Sequence, residues 1–117
     1  MLQIKGDSPA AAQHIREALT AYAEMEVKNA VAYCLELLAA IDGSEGRHEE
    51  AAQLFGAADK IREDIGTPVE PFNLERYERD VDATRQALGA AAFESQWAEG
   101  KALKFSEAVD IAQLDFS

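Results

Sequence analysis

An all-α fold of antiparallel helical hairpins is what this 117-residue sequence predicts, on three observations. Ala is abundant and is joined by Leu, Glu, Gln and Arg, residues that lose little side-chain freedom in a helix, while strand-favouring residues are thin. Apolar residues recur at intervals of three and four, and no useful stretch alternates with the period of two that a strand needs. Prolines occur only at Pro9, Pro68 and Pro71, so long stretches run uninterrupted between them.

The helices follow in order. Gly6-Asp7-Ser8-Pro9 opens the first, since Ser8 can cap it and Pro9 suits the first helical position, where a missing N–H costs nothing. It runs from Pro9 to Met25, with Ala11, Ile15, Ala18, Leu19 and Tyr22 on one stripe. The second, Val27 to Asp42, carries Val27, Ala30, Val31, Cys34, Leu37, Leu38 and Ile41, and Gly43-Ser44-Glu45-Gly46 stops it. The third spans His48 to Ile65, with Ala51, Leu54, Phe55, Ala58, Ile61 and Ile65 inward; Gly66 ends it and Pro68 prevents resumption.

The irregular stretch from Thr67 to Phe72 turns the chain between two helical layers. A fourth helix is capped by Asn73 and runs to Leu88, with Leu74, Tyr77, Val81, Thr84 and Leu88 on a narrow seam. A fifth covers Ala91 to Glu99 and sets Phe93 and Trp97 one turn apart, as core rather than as a ligand pair. Gly100 to Lys104 is a turn, and a sixth helix opens at Ser106 with Val109, Ala112 and Phe116 inward.

Length and composition fit one domain, residues 1–117, with enough apolar material (48%) to bury a core. Acidic residues outnumber basic ones 22 to 11, a formal net charge of −11. That surface repels phosphate backbones and anionic lipid heads, so neither nucleic acid nor membrane is an expected direct partner. The single cysteine, Cys34, can form no internal disulfide and sits in an apolar pattern, which suits a reducing, cytoplasmic setting. No segment approaches the roughly 18 consecutive apolar residues of a membrane span, and the N-terminus lacks the apolar core of a secretory signal.

Chemistry-bearing constellations are weak. His48-Glu49-Glu50 lacks the second histidine one turn on that a helical zinc site needs, and His14 lies on another helix. Acidic residues fall beside opposite charges at helical spacing (Glu24 with Lys28, Lys60 with Asp64, Glu75 with Arg79, Arg76 with Asp80), as on solvated helix faces. No phosphate loop ending in Gly-Lys-Ser/Thr occurs. Neither a catalytic residue, a metal nor a cofactor is implied, and the chain reads as a non-enzyme.

Self-similarity carries a resemblance. Gly46-Arg47-His48, Ala51, Leu54, Phe55 and Ala58 match the second-helix half of a tetratricopeptide repeat, with Leu35, Leu38 and Ala39 where its first helix packs. Ala39 stands in place of that family's preferred glycine and Asp42 in place of its usual tyrosine. Gly6-Asp7-Ser8, Ala11, Ile15 and Ala18 resemble a preceding half-repeat, but Gly6 to Gly46 exceeds the roughly 34-residue period, with the extra length expected around Glu24 to Lys28. Taken with Glu50–Ala58, Ile61–Pro68, Tyr77-Glu78-Arg79, Leu88–Phe93, Trp97–Leu103 and Glu107-Ala108-Val109, the series resembles the C-terminal tetratricopeptide-like end of large bacterial, actinobacterial-type signalling regulators. Those proteins carry a nucleotide-switch ATPase domain and LuxR-type or adenylate-cyclase-type domains.

The resemblance implies repeat helices over 6–66, capping helices over 67–117, and a piece or free-standing relative of such a regulator. It implies a protein partner, either unknown or another domain of the parent. In a repeat stack first helices line the groove, which puts Asn29, Tyr33, Glu36 and Ala40 outward as the candidate contact face. Two alternatives stand beside a protein-interaction module: a structural cap that self-associates into a homo-oligomer, and a small-molecule sensor.

Overall fold

The computed structural model describes the backbone of residues 4–113 and the side chains from Pro9 to Gln113. Over that span the chain forms six α-helices and no strand: α1 (Ile4–Glu24), α2 (Lys28–Ser44), α3 (His48–Ile65), α4 (Pro71–Leu88), α5 (Ala90–Lys101) and α6 (Phe105–Ala112). The predicted fold class holds and α3 has its predicted bounds. In each of the others at least one end differs. The backbone is already helical before Gly6, so Ser8-Pro9 lies inside α1 rather than at its start. Pro9 forfeits one hydrogen bond to the carbonyl four residues back, a loss taken close to the helix end. α4 starts at Pro71 and not at Asn73, because proline's fixed φ is pre-set for the first helical position. Gly100 belongs to α5 and not to the turn after it. Phe116 lies outside the described residues.

Three of the turns share one hydrogen-bonding scheme. Arg47 N donates to Asp42 O and Gly46 N to Gly43 O; Thr67 N donates to Arg62 O and Gly66 N to Glu63 O; Val27 N donates to Tyr22 O and Glu26 N to Ala23 O. This is the Schellman closure, which needs a left-handed residue at its apex. Gly46 and Gly66 supply it at φ 87° and 70°. Glu26 supplies it at φ 58° without glycine's freedom. The α1–α2 turn is therefore as tight as the α2–α3 turn, and the extra length expected around Glu24 to Lys28 is not there.

The core lies between α2 and α3, where Val31, Ala32, Leu35, Ala39, Ala51, Ala52 and Ala58 are wholly buried. Alanines at these positions let the two helices approach closely, and Leu38 and Phe55 fill the seam as expected. Tyr77 of α4 meets Phe55 edge-on, ring centroids 5.7 Å apart. On α1 the inward stripe runs through Ala12 and Leu19, which leaves Ala11 and Tyr22, both predicted inward, on the exposed flank. Leu74 is also exposed, since α4 turns inward only from Tyr77 through Val81 and Thr84.

Two contacts set the remaining geometry. Where α3 crosses α5, a methyl added at Gly56 would drive into the Trp97 carbonyl, and one added at Gly100 into the Gln53 carbonyl. Glycine in a helix costs about 1 kcal/mol relative to alanine, and here it permits backbone-to-backbone approach. Lys101 Nζ then reaches back to Asp59 at 2.9 Å and Glu63 at 2.7 Å. The second contact is the buried pair of Arg62 and Glu36, each about one-twentieth exposed. Arg62 Nε and Nη2 donate to Glu36 Oε2 and Oε1 at 2.6 and 3.0 Å, and Nη1 donates to the carbonyls of Thr67 and Pro68 at 3.2 Å. One guanidinium thus ties α2, α3 and the 66–70 loop together. α6 folds back to α1, where Gln113 Nε2 donates to the Arg16 carbonyl and the Thr20 hydroxyl.

Gly100→Ala should lower the unfolding free energy by about 2 kcal/mol or more, read by urea denaturation, because the methyl meets backbone that cannot rotate aside. Arg62→Ala should cost about 3–5 kcal/mol, since Glu36 is left buried and unpaired. The double change Arg62→Met with Glu36→Leu should recover most of that loss. A double variant as unstable as Arg62→Ala would contradict the assignment.

Candidate functional site

Asn29, Tyr33, Glu36 and Ala40 fall on one side of α2, but that side is not uniformly open. Asn29 is exposed, Tyr33 and Ala40 are half-buried, and Glu36 is buried. The outward placement expected of Glu36 is therefore corrected: Arg62 rises from α3 and draws its carboxylate inward. A carboxylate with both oxygens engaged offers little to a partner.

Glu36 and Ala40 nonetheless share one cleft. It has a volume of about 160 Å³, with Leu37, Ile41 and Phe55 beside them and Asn73, Arg76, Tyr77 and Asp80 of α4 opposite. Ile15 of α1 completes the wall. Helical spacing explains the set, because residues 36, 37, 40 and 41 are neighbours on two successive turns of α2. Pockets for drug-sized ligands run to roughly 300–1,000 Å³, so this cleft suits a single apolar side chain better than a metabolite. The polar groups of α4 face an apolar floor, the arrangement of an interface pocket with a polar border.

Burial governs the titrating groups here. It pushes the Glu36 carboxyl up, opposed by the two Arg62 donors, and pushes the Asp80 carboxyl up, opposed by Arg76 and Arg79. The Tyr77 phenol is pushed well up by burial first, and then by the negative charges of Glu36 and Asp59. Burial also raises the Cys34 thiol, the reverse of what a nucleophilic thiolate requires. Among the described residues no three His, Cys, Asp or Glu side chains gather in a metal-binding group. His48 is half-buried at the start of α3 and Glu49 is exposed. Of the four predicted helical ion pairs, Lys60 with Asp64 is formed at 3.1 Å.

Two features escaped the sequence reading. Phe72 is 83% exposed on the first turn of α4, next to Asn73 of the cleft, and its expected place at the end of the irregular stretch gave no cue. Arg62 and Glu36 had a cue: each occupies a helical position in register with inward-facing neighbours, the buried Ala58 and half-buried Ile65 for one, the buried Ala32 and Ala39 for the other. Opposite charges on two facing apolar stripes are the mark of a buried pair.

Tyr77 generates a pH prediction. Its folded-state pKa lies above the unfolded value of about 10, so its contribution to stability is complete below that pH and is lost as pH rises further. Tyr77→Phe should therefore flatten the fall in melting temperature between about pH 9.5 and 11, followed by circular dichroism. An unchanged alkaline slope would contradict the burial of the phenol.

No family model matches this sequence, and no solved structure matches it significantly. Among curated proteins it is similar to proposed HTH-type transcriptional regulators of Mycobacterium bovis and of two strains of Mycobacterium tuberculosis. Each is 34% identical over 109 residues, covering 93% of this chain and 12% of the relative. This chain is thus similar, over almost all of its length, to one short segment of large proteins named as transcriptional regulators.

Proposed function

We propose that this chain is a non-catalytic protein-interaction module, the tetratricopeptide-like helical part of a bacterial transcriptional or signalling regulator. The observation that carries it is the similarity itself: 93% of the chain corresponds to 12% of proteins named as HTH-type regulators. A module of that kind leaves helix-turn-helix and nucleotide-switch work to other domains. The net charge of −11 supports this division, because an acidic surface opposes direct contact with DNA. Among the described residues no helix is long and apolar enough to cross a membrane, which fits a cytoplasmic regulator.

The contact face we propose is the α2–α4 cleft with its borders. A partner's apolar side chain seats over Leu37, Ala40 and Ile41, Phe72 adds an aromatic anchor, and Asn29 and Tyr33 extend the face along α2. Glu36 acts through Arg62, holding the wall in place rather than touching the partner. In this scheme helices over 6–66 form the repeat unit and those over 67–117 seal it, with α6 returning to α1.

A photo-crosslinking residue at position 72 in the host cell tests the proposal. The expected result is one reproducible protein adduct, a host protein or another domain of the parent, lost in Ala40→Gln and Tyr33→Ala with melting temperature unchanged. Adducts only between copies of this chain would favour a self-associating cap. The absence of any adduct with a folded module would overturn the interaction reading.

A further inference from the structure

We infer that the cleft between α3 and the α5–α6 turn is a binding site for a small organic anion with an apolar body, a carboxylate being the simplest member of that class. The sequence holds five lysines, at 5, 28, 60, 101 and 104, within a chain of net charge −11. Four of them, Lys28, Lys60, Lys101 and Lys104, line this one cleft of about 300 Å³. They arrive from four separate places: the first residue of α2, the fourth turn of α3, the last residue of α5 and the residue preceding α6. Cations scattered to offset an acidic surface would not converge in this way.

Two of the four have structural duties. Lys60 pairs with Asp64 at 3.1 Å, and Lys101 clamps α5 to Asp59 and Glu63 on α3. Among the described residues Lys28 and Lys104 have no carboxylate within ion-pair distance. Lys28 Nζ instead lies over the Phe105 ring, 5.3 Å from its centroid. Leu103 and Phe105, both half-buried, form the apolar side of the same cleft. An anionic head met by Lys28 and Lys104, with an apolar body against Leu103 and Phe105, uses both kinds of surface together. The volume, about twice that of the α2–α4 cleft, reaches the lower end of small-molecule sites. This site lies apart from the proposed contact face and does not depend on it.

The test is a titration of the isotopically labelled full chain with octanoate, octylammonium, inorganic phosphate and an oligo-glutamate peptide, read by amide chemical shifts. Octanoate should give saturable shifts centred on Leu103 and Phe105, while octylammonium gives none. Lys28→Gln with Lys104→Gln, two side chains without fold-holding ion pairs, should weaken octanoate binding at least tenfold and leave the melting temperature unchanged. Octylammonium binding as well as octanoate, shifts centred elsewhere, or no saturation would overturn the proposal. So would phosphate or oligo-glutamate binding as tightly as octanoate, since each would show that the apolar body is not recognised.

Discussion

At the crossing of α3 and α5 the two helices meet backbone to backbone, with Gly56 and Gly100 each lying against a carbonyl of the opposite helix. Almost every other relation follows from it. With α5 held this near, Lys101 reaches two carboxylates of α3, and the turn after it brings Lys104 and Phe105 to the same cleft as Ile61 and Ala57. The connection between α4 and α5 is the single residue Gly89, so fixing α5 also fixes the end of α4, where Arg85 covers the Phe93 ring at 4.6 Å. α3 is consequently packed on both sides, by α2 and by α5, and acts as the axis of the fold.

Against this apolar constraint stands a polar one of different character. Dispersion and burial fix how near two helices come, yet they say little about where a loop goes next. Arg62 supplies that direction, because its planar fork satisfies Glu36 and two loop carbonyls in one arrangement. Lysine at this position could not reproduce it. The pair also reshapes the face of α2: one residue of four is withdrawn, and recognition shifts to the apolar floor and the α4 border.

How much of this was readable follows from the kind of signal each element leaves. Helices separated by glycine or proline were legible, α3 to its bounds, because both residues act locally on φ. The α1–α2 turn was not, since Glu26 occupies a left-handed conformation that its side chain does not advertise. Leu38, Phe55 and Cys34 were legible as core from periodicity, whereas Leu74 shows that periodicity names a face without saying where along a helix a neighbour begins. Of the candidate face, the helix was legible and the fate of Glu36 was not. That depended on a partner 26 residues away in sequence. The lysine cleft was invisible for the same reason, its members being dispersed over most of the chain and gathered only by packing.

Glu26 has a further bearing on how α1 is joined to the other helices. Its closure is the costlier copy of a motif that glycine satisfies twice elsewhere, because a left-handed conformation is disfavoured for a residue with a side chain. α1 contributes Ile15 to the α2–α4 cleft, and its outer anchorage is the pair of bonds from Gln113. One wall of that cleft therefore belongs to the helix joined to α2 through the costliest of the three closures. The cleft thus joins Phe55 of the α3 axis to Ile15 of the helix that lies beyond Glu26.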